Sequence, residues 1–237
     1  MKLLGLISPN LDDATIQEYY KFLPEGIRIE GRALTVGRFT TGDFKRVEEA
    51  FAGVVRELTQ QPLDFLMVTG ELFLSFRGPG SDQLILDSVS EISPIPASTV
   101  LTAVVRALRQ MKCSRIVMAS PFPHDQDAGL VCFLAYYDIQ VVAFHGLGYD
   151  NTDVIWNLPA DTGYQSASAL LSKHKDVDGI YMPCNKWRVS PVIDRLEEEF
   201  GKPVITNTQA WIWEALQGMG MMQQVRGLGR LFNRPQD

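Results

Sequence analysis

Short apolar runs alternate with amphipathic stretches along the whole chain. Four of these runs lie at 3–7, 65–69, 116–119 and 180–182. Each is too short for a helix and ends at polar, Gly or Pro residues, as buried strands do. Between the runs, apolar residues recur at helical spacing, as in 41–58 with Val47, Phe51 and Val55 on one face. Strands that alternate with helices pair in parallel, so the pattern predicts an α/β fold with mostly parallel, buried sheets.

Three motifs occur in the same order in both halves of the chain. They are Ser-Pro after an apolar run at 8–9 and 120–121, an Asp-led strand and corner at 64–71 and 178–185, and a Pro-led segment at 94–99 and 203–208. Single matches arise by chance, but three in register favour an internal duplication over one unrepeated doubly wound sheet. We predict two pseudo-symmetric parallel-sheet halves, 1–112 and 113–237, with the active site in the cleft between them. The C-terminal segment is free to pack back on the first half.

The charge of the chain points to a small-molecule partner. The net charge is -6, whereas nucleic acids and anionic membrane surfaces select clustered Lys and Arg. The apolar run that opens the chain is too short for a signal segment or a membrane span. We therefore expect no nucleic-acid and no membrane partner, and we leave a homo-oligomer open.

The number and spacing of the cysteines indicate the cellular compartment and argue against some kinds of site. Three cysteines, without CxxC spacing, fit a reducing cytoplasm and argue against a disulfide framework or a structural zinc site. The chain also lacks a GxGxxG sequence after a strand and a GxxxxGK[ST] loop. We expect a cytoplasmic protein that uses no cofactor and no metal.

The two Asp-led corners differ at one position, which is Gly70 in the first and Cys184 in the second. A helix beginning after Cys184 would let the backbone N–H groups from Asn185 onwards lower the pKa of the thiol and hold an anion. The competing interpretation is a small buried side chain, which is the one expected for Cys113 and Cys132. Glycine at 70 leaves space, or allows a positive φ, where a second acid or base could have stood.

Polar residues near the other strand ends are candidate binding groups. Glu71 is either a base with a raised pKa or an acid at a helix N-terminus, stabilised by the helix dipole. Asn10 either orients a carboxylate or caps a turn. Thr99 and Asn207 are first of all helix caps, but caps at strand ends also donate to bound carboxylates.

These residues resemble a known family. The glycine corner with Arg77-Gly78 after it, the Cys184 corner, the segment 203–208 and the Gly-Leu-Gly-Arg-Leu-Phe ending are similar to the aspartate/glutamate racemase superfamily. Within it, the chain is most similar to the branch that holds arylmalonate decarboxylase, maleate cis-trans isomerase and ectoine-utilisation EutA-type proteins. The resemblance covers nearly the whole chain. It implies two Rossmann-like (flavodoxin-like) halves around a cleft, no cofactor, and a cysteine at each corner in the racemases and isomerases.

The decarboxylases of that branch keep glycine at the first corner and one cysteine at the second, as Gly70 and Cys184 do here. The resemblance implies that this cysteine protonates a planar enediolate after the loss of carbon dioxide. The chain departs from the branch in the carboxylate-binding pocket. Glu71 and Leu72 stand where Thr and Ser hydroxyls are expected, and Phe122 stands where a Tyr hydroxyl is expected.

We therefore predict a cofactor-independent, decarboxylase-like enzyme that acts on a small carboxylic acid through an enolate-type intermediate. Cys184 is the predicted proton donor and Glu71 the second catalytic group. The predicted substrate-binding residues are Pro9, Asn10, Gly70, Leu72, Thr99, Phe122, Asn185 and Asn207. One alternative is a racemase or cis-trans isomerase of a small (di)carboxylate or amino acid, with Glu71 as the second base. Another is a non-catalytic, small-ligand-binding member of the superfamily.

Overall fold

A computed structural model describes residues 1–34, 41–223 and 225–233. Eight strands lie in these ranges, at or next to the apolar runs of the sequence. They are β1 (Lys2–Ser8), β2 (Ile27–Ala33), β3 (Phe65–Val68), β4 (Ala97–Thr99), β5 (Arg115–Ser120), β6 (Gln140–Gly146), β7 (Gly179–Met182) and β8 (Val204–Thr206).

Amphipathic helices connect the strands, as the alternating pattern predicts. They are α1 (Asp13–Tyr20), α2 (Thr41–Leu58), α3 (Glu71–Phe76), α4 (Ser81–Ile92), α5 (Val100–Gln110), α6 (His124–Tyr136), α7 (Thr152–Trp156), α8 (Ala160–Lys173), α9 (Ile193–Phe200), α10 (Asn207–Gly218) and α11 (Gly229–Asn233). A 3-10 turn at Ser190–Val192 precedes α9. Among the described residues, none of these helices has the length and apolar character needed to cross a bilayer.

The strands form two parallel sheets with the same topology. The first has the order β2-β1-β3-β4 and the second has the order β6-β5-β7-β8. All six strand pairs are parallel. The predicted fold class, two pseudo-symmetric parallel-sheet halves, is confirmed.

The Asp that opens each corner motif does the same structural work in both halves. The Asp64 carboxylate accepts a hydrogen bond from the backbone N–H of Leu3 at 2.8 Å. The Asp178 carboxylate accepts from the backbone N–H groups of Ser114 and Arg115 at 2.9 and 2.7 Å. The Asp64 carboxylate therefore ties the start of β3 to the start of β1, and the Asp178 carboxylate ties the start of β7 to the start of β5. This shared contact explains why the motif recurs.

Helices α5 and α10 lie at the centre of the molecule and join the two sheets. They pack against each other, and each also contacts the far sheet, α5 through β8 and α10 through β3 and β4. Arg106 on α5 pairs with the buried carboxylate of Glu214 on α10. Both helices are capped by a threonine, Thr99 and Thr206, whose Oγ accepts a backbone N–H. The second half thus supplies part of the core of the first.

The sequence missed or displaced several elements. α3 begins directly at the first corner, in a stretch to which the sequence assigned no helix, and the Gly-rich loop follows at 77–80 as expected. α7 was not expected at all. Polar and apolar residues alternate over 27–36, which predicts a strand; β2 ends at Ala33, and residues 35 and 36 lie outside the described residues. α3 and α7 span only 6 and 5 residues, which is too short to show a helical period.

Candidate active site

The two corners have the same unusual backbone conformation. Gly70 follows β3 with φ 103° and Cys184 follows β7 with φ 84°. Positive φ is easy for glycine but costs a residue with a side chain about 1–3 kcal/mol, and such strain collects at functional sites. The pseudo-symmetric corners therefore present one backbone geometry, and only the second corner carries a thiol.

Gly70 has no room for a side chain. A Cβ built on Gly70 would lie 2.2 Å from Cγ and 2.7 Å from Cδ of Pro9. The proline ring is too stiff to give way, so Pro9 fills the space that a second acid or base on residue 70 would need. The expectation of open space at this corner is wrong, whereas the expected positive φ is present.

A cavity of about 50 Å³ lies between the two corners, at the carboxyl ends of the central strands. Its wall is formed by Ser8, Pro9, Asn10, Tyr19, Gly70, Glu71, Leu72, Phe73, Phe122, Thr152, Cys184, Asn185 and Lys186. The cavity brings together eight of the ten residues predicted to form the site. It has room for a small ligand only, since one water molecule needs about 10–15 Å³.

Cys184 is buried, with 5% of its surface exposed. Burial raises the pKa of its thiol well above the ordinary range, and the nearby Glu71 carboxylate raises it further. The backbone N–H groups of Lys186 and Trp187 oppose this shift without reversing it. The thiol is therefore protonated at neutral pH.

The prediction that a helix N-terminus lowers the pKa of Cys184 is wrong. The corner continues as a turn in which the Trp187 N–H donates to the Cys184 carbonyl at 3.2 Å, and the next helical residues begin only at Ser190. The thiol therefore receives two nearby N–H groups but no helix dipole. Of the other cysteines, Cys113 is buried as expected, whereas Cys132 is exposed.

Glu71 is the first residue of α3 and is also 5% exposed. Burial raises the pKa of its carboxyl to about 7. Its own backbone N–H, the side-chain amide of Asn207 and the backbone N–H of Cys184 face the carboxyl and partly offset that shift. Near neutral pH, Glu71 is thus present in both protonation states, which suits proton transfer.

Asn207 stands behind Glu71 rather than in the cavity wall. Its Oδ1 accepts a hydrogen bond of 2.6 Å from the buried Tyr181 hydroxyl, and this bond directs Nδ2 away from Tyr181. Nδ2 faces the Glu71 carboxyl and favours its charged form, although the pair does not reach the geometry of a full hydrogen bond. Asn207 therefore acts on the site through the charge of Glu71.

Five wall residues were not predicted, and Lys186 is the one with the largest set of contacts. Its Nζ donates to Asp12 Oδ2 at 2.9 Å and to Thr15 Oγ1 at 2.5 Å, and it lies 5.0 Å from the centre of the Trp156 ring. Burial opposes the charge of Asp12, but hydrogen bonds from Lys186 and Thr15 outweigh it and lower the pKa of Asp12 to about 2.

These contacts fasten α1, in the first half, to the loop after β7 in the second half. The Asn10 amide adds a second link, because its Nδ2 donates to Thr152 Oγ1 of α7 at 3.2 Å. Both links lie beside the cavity and hold its two sides together. Ser8, Phe73 and Tyr19 are the remaining unpredicted wall residues.

Comparison with known proteins agrees with this geometry. The family model for arylmalonate decarboxylase matches residues 4–232. The chain belongs to the arylmalonate decarboxylase family. The arylmalonate decarboxylase of Bordetella bronchiseptica is 24% identical over 201 residues, which cover 84% of each chain. The maleate isomerase of Nocardia farcinica (strain IFM 10152) is 25% identical over 164 residues, which cover 66% of this chain and 64% of that enzyme.

Solved structures share the fold of this arylmalonate decarboxylase family member. A liganded double mutant of arylmalonate decarboxylase superposes with a TM-score of 0.91 at 22% identity, covering 98% of this chain and 99% of that one. A Nocardia farcinica maleate cis-trans isomerase mutant with a covalently bound succinylcysteine intermediate gives 0.91 at 17% identity, covering 99% of each chain. The relatives are enzymes of the decarboxylase and isomerase type, as the resemblance of the sequence implied.

Thr99 lies outside the cavity wall of this family member. Its Oγ accepts the backbone N–H of Thr102 at 3.0 Å, so it caps α5. The structure thus gives no support to the prediction that Thr99 binds substrate. The cap was the commoner interpretation of the sequence, and buried α5 needs that cap because its N-terminal N–H groups have no partner within the helix.

Proposed function

We propose that the protein is a cofactor-independent decarboxylase of a small carboxylic acid, with Cys184 as the proton donor to an enolate-type intermediate. The observation that carries the proposal is the single buried thiol that faces the cavity from a strained corner. The opposite corner holds Gly70, which is blocked by Pro9. Protons can thus be delivered by a thiol from one side only.

The protonation state of Cys184 supports an acid rather than a nucleophile. A nucleophilic cysteine needs a lowered pKa, because the thiolate is the attacking species. Burial and Glu71 raise the pKa of this thiol instead. The maleate isomerase relative was captured with a covalently bound succinylcysteine. The raised pKa of Cys184 favours a different role here.

Cys184 and Glu71 can account for every proton and electron pair that moves in the proposed decarboxylation. The bond between the α-carbon and the leaving carboxylate breaks, carbon dioxide departs, and the electron pair becomes the enolate of the remaining acid group. The S–H bond of Cys184 then breaks as its proton moves to the α-carbon. The thiolate that remains regains a proton that comes ultimately from water. Glu71, whose pKa of about 7 leaves it partly protonated, is placed to relay that proton.

The apolar part of the wall supports the departure of carbon dioxide. Leu72, Phe73 and Phe122 are buried in or against the cavity. A carboxylate held against them loses its hydration, which disfavours the charged group and favours the neutral product. The volume of about 50 Å³ favours small acids over those that carry an aromatic ring.

Replacement of Cys184 by alanine tests the proposal. We expect the Cys184→Ala variant to lose at least about 10²-fold in kcat, the range of a general acid. Carbon dioxide release is measured with malonate, methylmalonate and phenylmalonate. Cys132→Ala, which removes an exposed thiol, is the matched control and keeps full activity.

Full activity of the Cys184→Ala variant would contradict the proton-donor role. Stabilisation by these acids without any turnover, seen as a rise in melting temperature, would favour the non-catalytic binder instead. A racemase or isomerase is the second candidate because Glu71 has the pKa of a usable second base. It predicts a changed configuration or double-bond geometry with no carbon dioxide released.

A further inference from the structure

The growing negative charge of the enolate needs hydrogen-bond donors, and the apolar part of the cavity wall offers none. Preorganised donors at a developing oxyanion are commonly the largest single contribution to catalysis. Leu72, Phe73 and Phe122 have no polar side-chain atoms, and the Glu71 carboxylate repels an oxyanion when it is charged. A donor must therefore come from another part of the wall.

Tyr19 lies where such a donor is needed, and its hydroxyl carries the proton of the hydrogen bond. It is 1% exposed, lies on the inner face of α1 and forms part of the cavity wall. Its hydroxyl has no hydrogen-bond partner within residues 1–34, 41–223 and 225–233. The hydroxyl is not among the fully buried polar atoms that lack a partner, so it keeps access to the cavity. A ligand oxygen in the cavity would accept its hydrogen bond.

The surroundings of Tyr19 hold the ring in place. The ring packs edge-on against Trp211 of α10, with centroids 4.9 Å apart and planes at 79°. One helical turn earlier on the same face, Thr15 accepts a hydrogen bond from Lys186 of the second half. Tyr19 thus points from a helix that is fixed at one end by Lys186 and supported beneath the ring by Trp211.

Tyr19 shares the cavity wall with Cys184 and Glu71, and it stays protonated there. Burial raises the pKa of its hydroxyl above the ordinary range, and the charges of Cys184 and then Glu71 raise it further. The hydroxyl therefore keeps its proton across the working pH range and can act as a donor throughout it.

We propose that Tyr19 is a catalytic residue, whose O–H donates to the carboxylate oxygen on which negative charge grows as carbon dioxide leaves. The inference rests on the proposed decarboxylase function and extends it. Tyr19 donates a hydrogen bond and transfers no proton, while Cys184 supplies the proton to carbon. One wall of the cavity thus stabilises the oxyanion and another protonates the carbanion.

The Tyr19→Phe variant tests the role without removing the ring that packs on Trp211. We expect kcat/KM for carbon dioxide release to fall about 10²- to 10³-fold, the cost of losing one oxyanion donor. The melting temperature is expected to stay close to that of the wild type. Tyr136→Phe, at an exposed tyrosine, and Tyr20→Phe, whose hydroxyl contacts Ile29 N outside the cavity, are controls that keep kcat/KM.

A second measurement needs no turnover. The nitronate of 3-nitropropionate is planar and charged like an enediolate, and its binding is read by calorimetry. We expect Tyr19→Phe to bind it at least about tenfold more weakly than the wild type, because a hydrogen bond to a charged group is lost. Equal affinities, or a Tyr19→Phe variant within about threefold of wild-type kcat/KM, overturn the role of Tyr19.

The two proposals fail in different ways. Full activity of Cys184→Ala together with a large loss in Tyr19→Phe refutes the proton donor and keeps the oxyanion donor. A loss of activity in Cys184→Ala, together with wild-type kcat/KM and affinity in Tyr19→Phe, supports the proton donor and refutes the oxyanion donor. A wild-type protein that neither releases carbon dioxide from the malonates nor binds the nitronate overturns both.

Discussion

At the scale of single residues, the site depends on two side chains that are unfavourable for folding. Cys184 has a positive φ that costs a side-chain-bearing residue about 1–3 kcal/mol. Glu71 buries a carboxyl whose pKa rises to about 7 because its charge is poorly hydrated. Both costs occur where the proposed proton transfer takes place, which is where strain and shifted pKa values commonly collect.

The protonation of Glu71 is expected to set the pH dependence. With a pKa of about 7, the carboxyl is neutral below pH 7 and then admits an anionic substrate, whereas above pH 7 its charge repels one. We predict that kcat/KM for the malonates falls as the pH rises through 7. The Glu71→Gln variant, neutral at every pH, is expected to keep its kcat/KM at pH 8, whereas its kcat falls because residue 71 no longer relays a proton.

Stability provides the check that Glu71 itself titrates. Its folded-state pKa lies above the ordinary 4.5, so its contribution is complete below pH 4.5 and is lost as the pH rises to about 7. Glu71→Gln should therefore gain stability over the wild type between pH 5 and 8, by at most about 3 kcal/mol. Exposed Glu91→Gln is the control. An activity that rises through pH 7, with an inactive Glu71→Gln, contradicts the prediction and favours Glu71 as a base.

The site residues that could be predicted from the sequence are those that directly follow a strand. Gly70, Glu71, Cys184 and Asn185 were found because strand ends of a parallel sheet converge on its ligands. The direction of the Cys184 pKa was missed, since neither its depth nor the turn after it is visible in the order of residues. Thr99 was misplaced because a cap and a ligand-binding hydroxyl look alike in a sequence.

At the scale of elements, α1 is the wall that the sequence did not reveal. Its buried positions are Thr15 and Tyr19, one turn apart. Neither is strongly apolar, so the inner face leaves little hydrophobic pattern to detect. Lys186 was missed for a related reason, because its partners Asp12 and Thr15 lie more than 170 residues away in the chain.

Removal of the Lys186 ammonium is predicted to loosen α1. Lys186→Met keeps the length of the side chain but loses both hydrogen bonds to α1, and Asp12 is exposed enough to regain water. We expect a loss of about 1 kcal/mol in the free energy of unfolding and faster amide hydrogen exchange along 13–20. The control is Lys175→Met, at an exposed lysine. Unchanged exchange in α1 would show that Lys186 does not hold the helix.

At the scale of the whole molecule, the repeated motifs were a reliable guide to the architecture. Each marks a place where the two sheets make the same contact, such as the Asp64 and Asp178 carboxylates at the starts of β3 and β7. The crossing of α5 and α10 between the halves was not visible, since each helix has the same apolar pattern whichever sheet it covers. The boundary near residue 112 stays a prediction.

Division of the chain at that boundary is predicted to unfold the first half. A fragment of residues 1–112 lacks α10, which packs on β3 and β4. We expect this fragment to show no cooperative thermal transition by circular dichroism, while the whole chain does, because apolar sheet surface is left uncovered. Addition of a 113–237 fragment should restore the transition. A cooperative transition in 1–112 alone would show that the halves are independent.

The position of α10 also has a consequence for how the protein is made in a cell. Gly218, at the end of α10, packs so closely on Phe65 of β3 that a Cβ on Gly218 would lie 2.2 Å from the phenyl ring. The ribosome must therefore translate β3 and then about 150 further residues before that contact can form. The face of the first sheet that α10 covers therefore stays exposed during most of translation. A chaperone that shields β3 and β4 would bind this chain early and dissociate late.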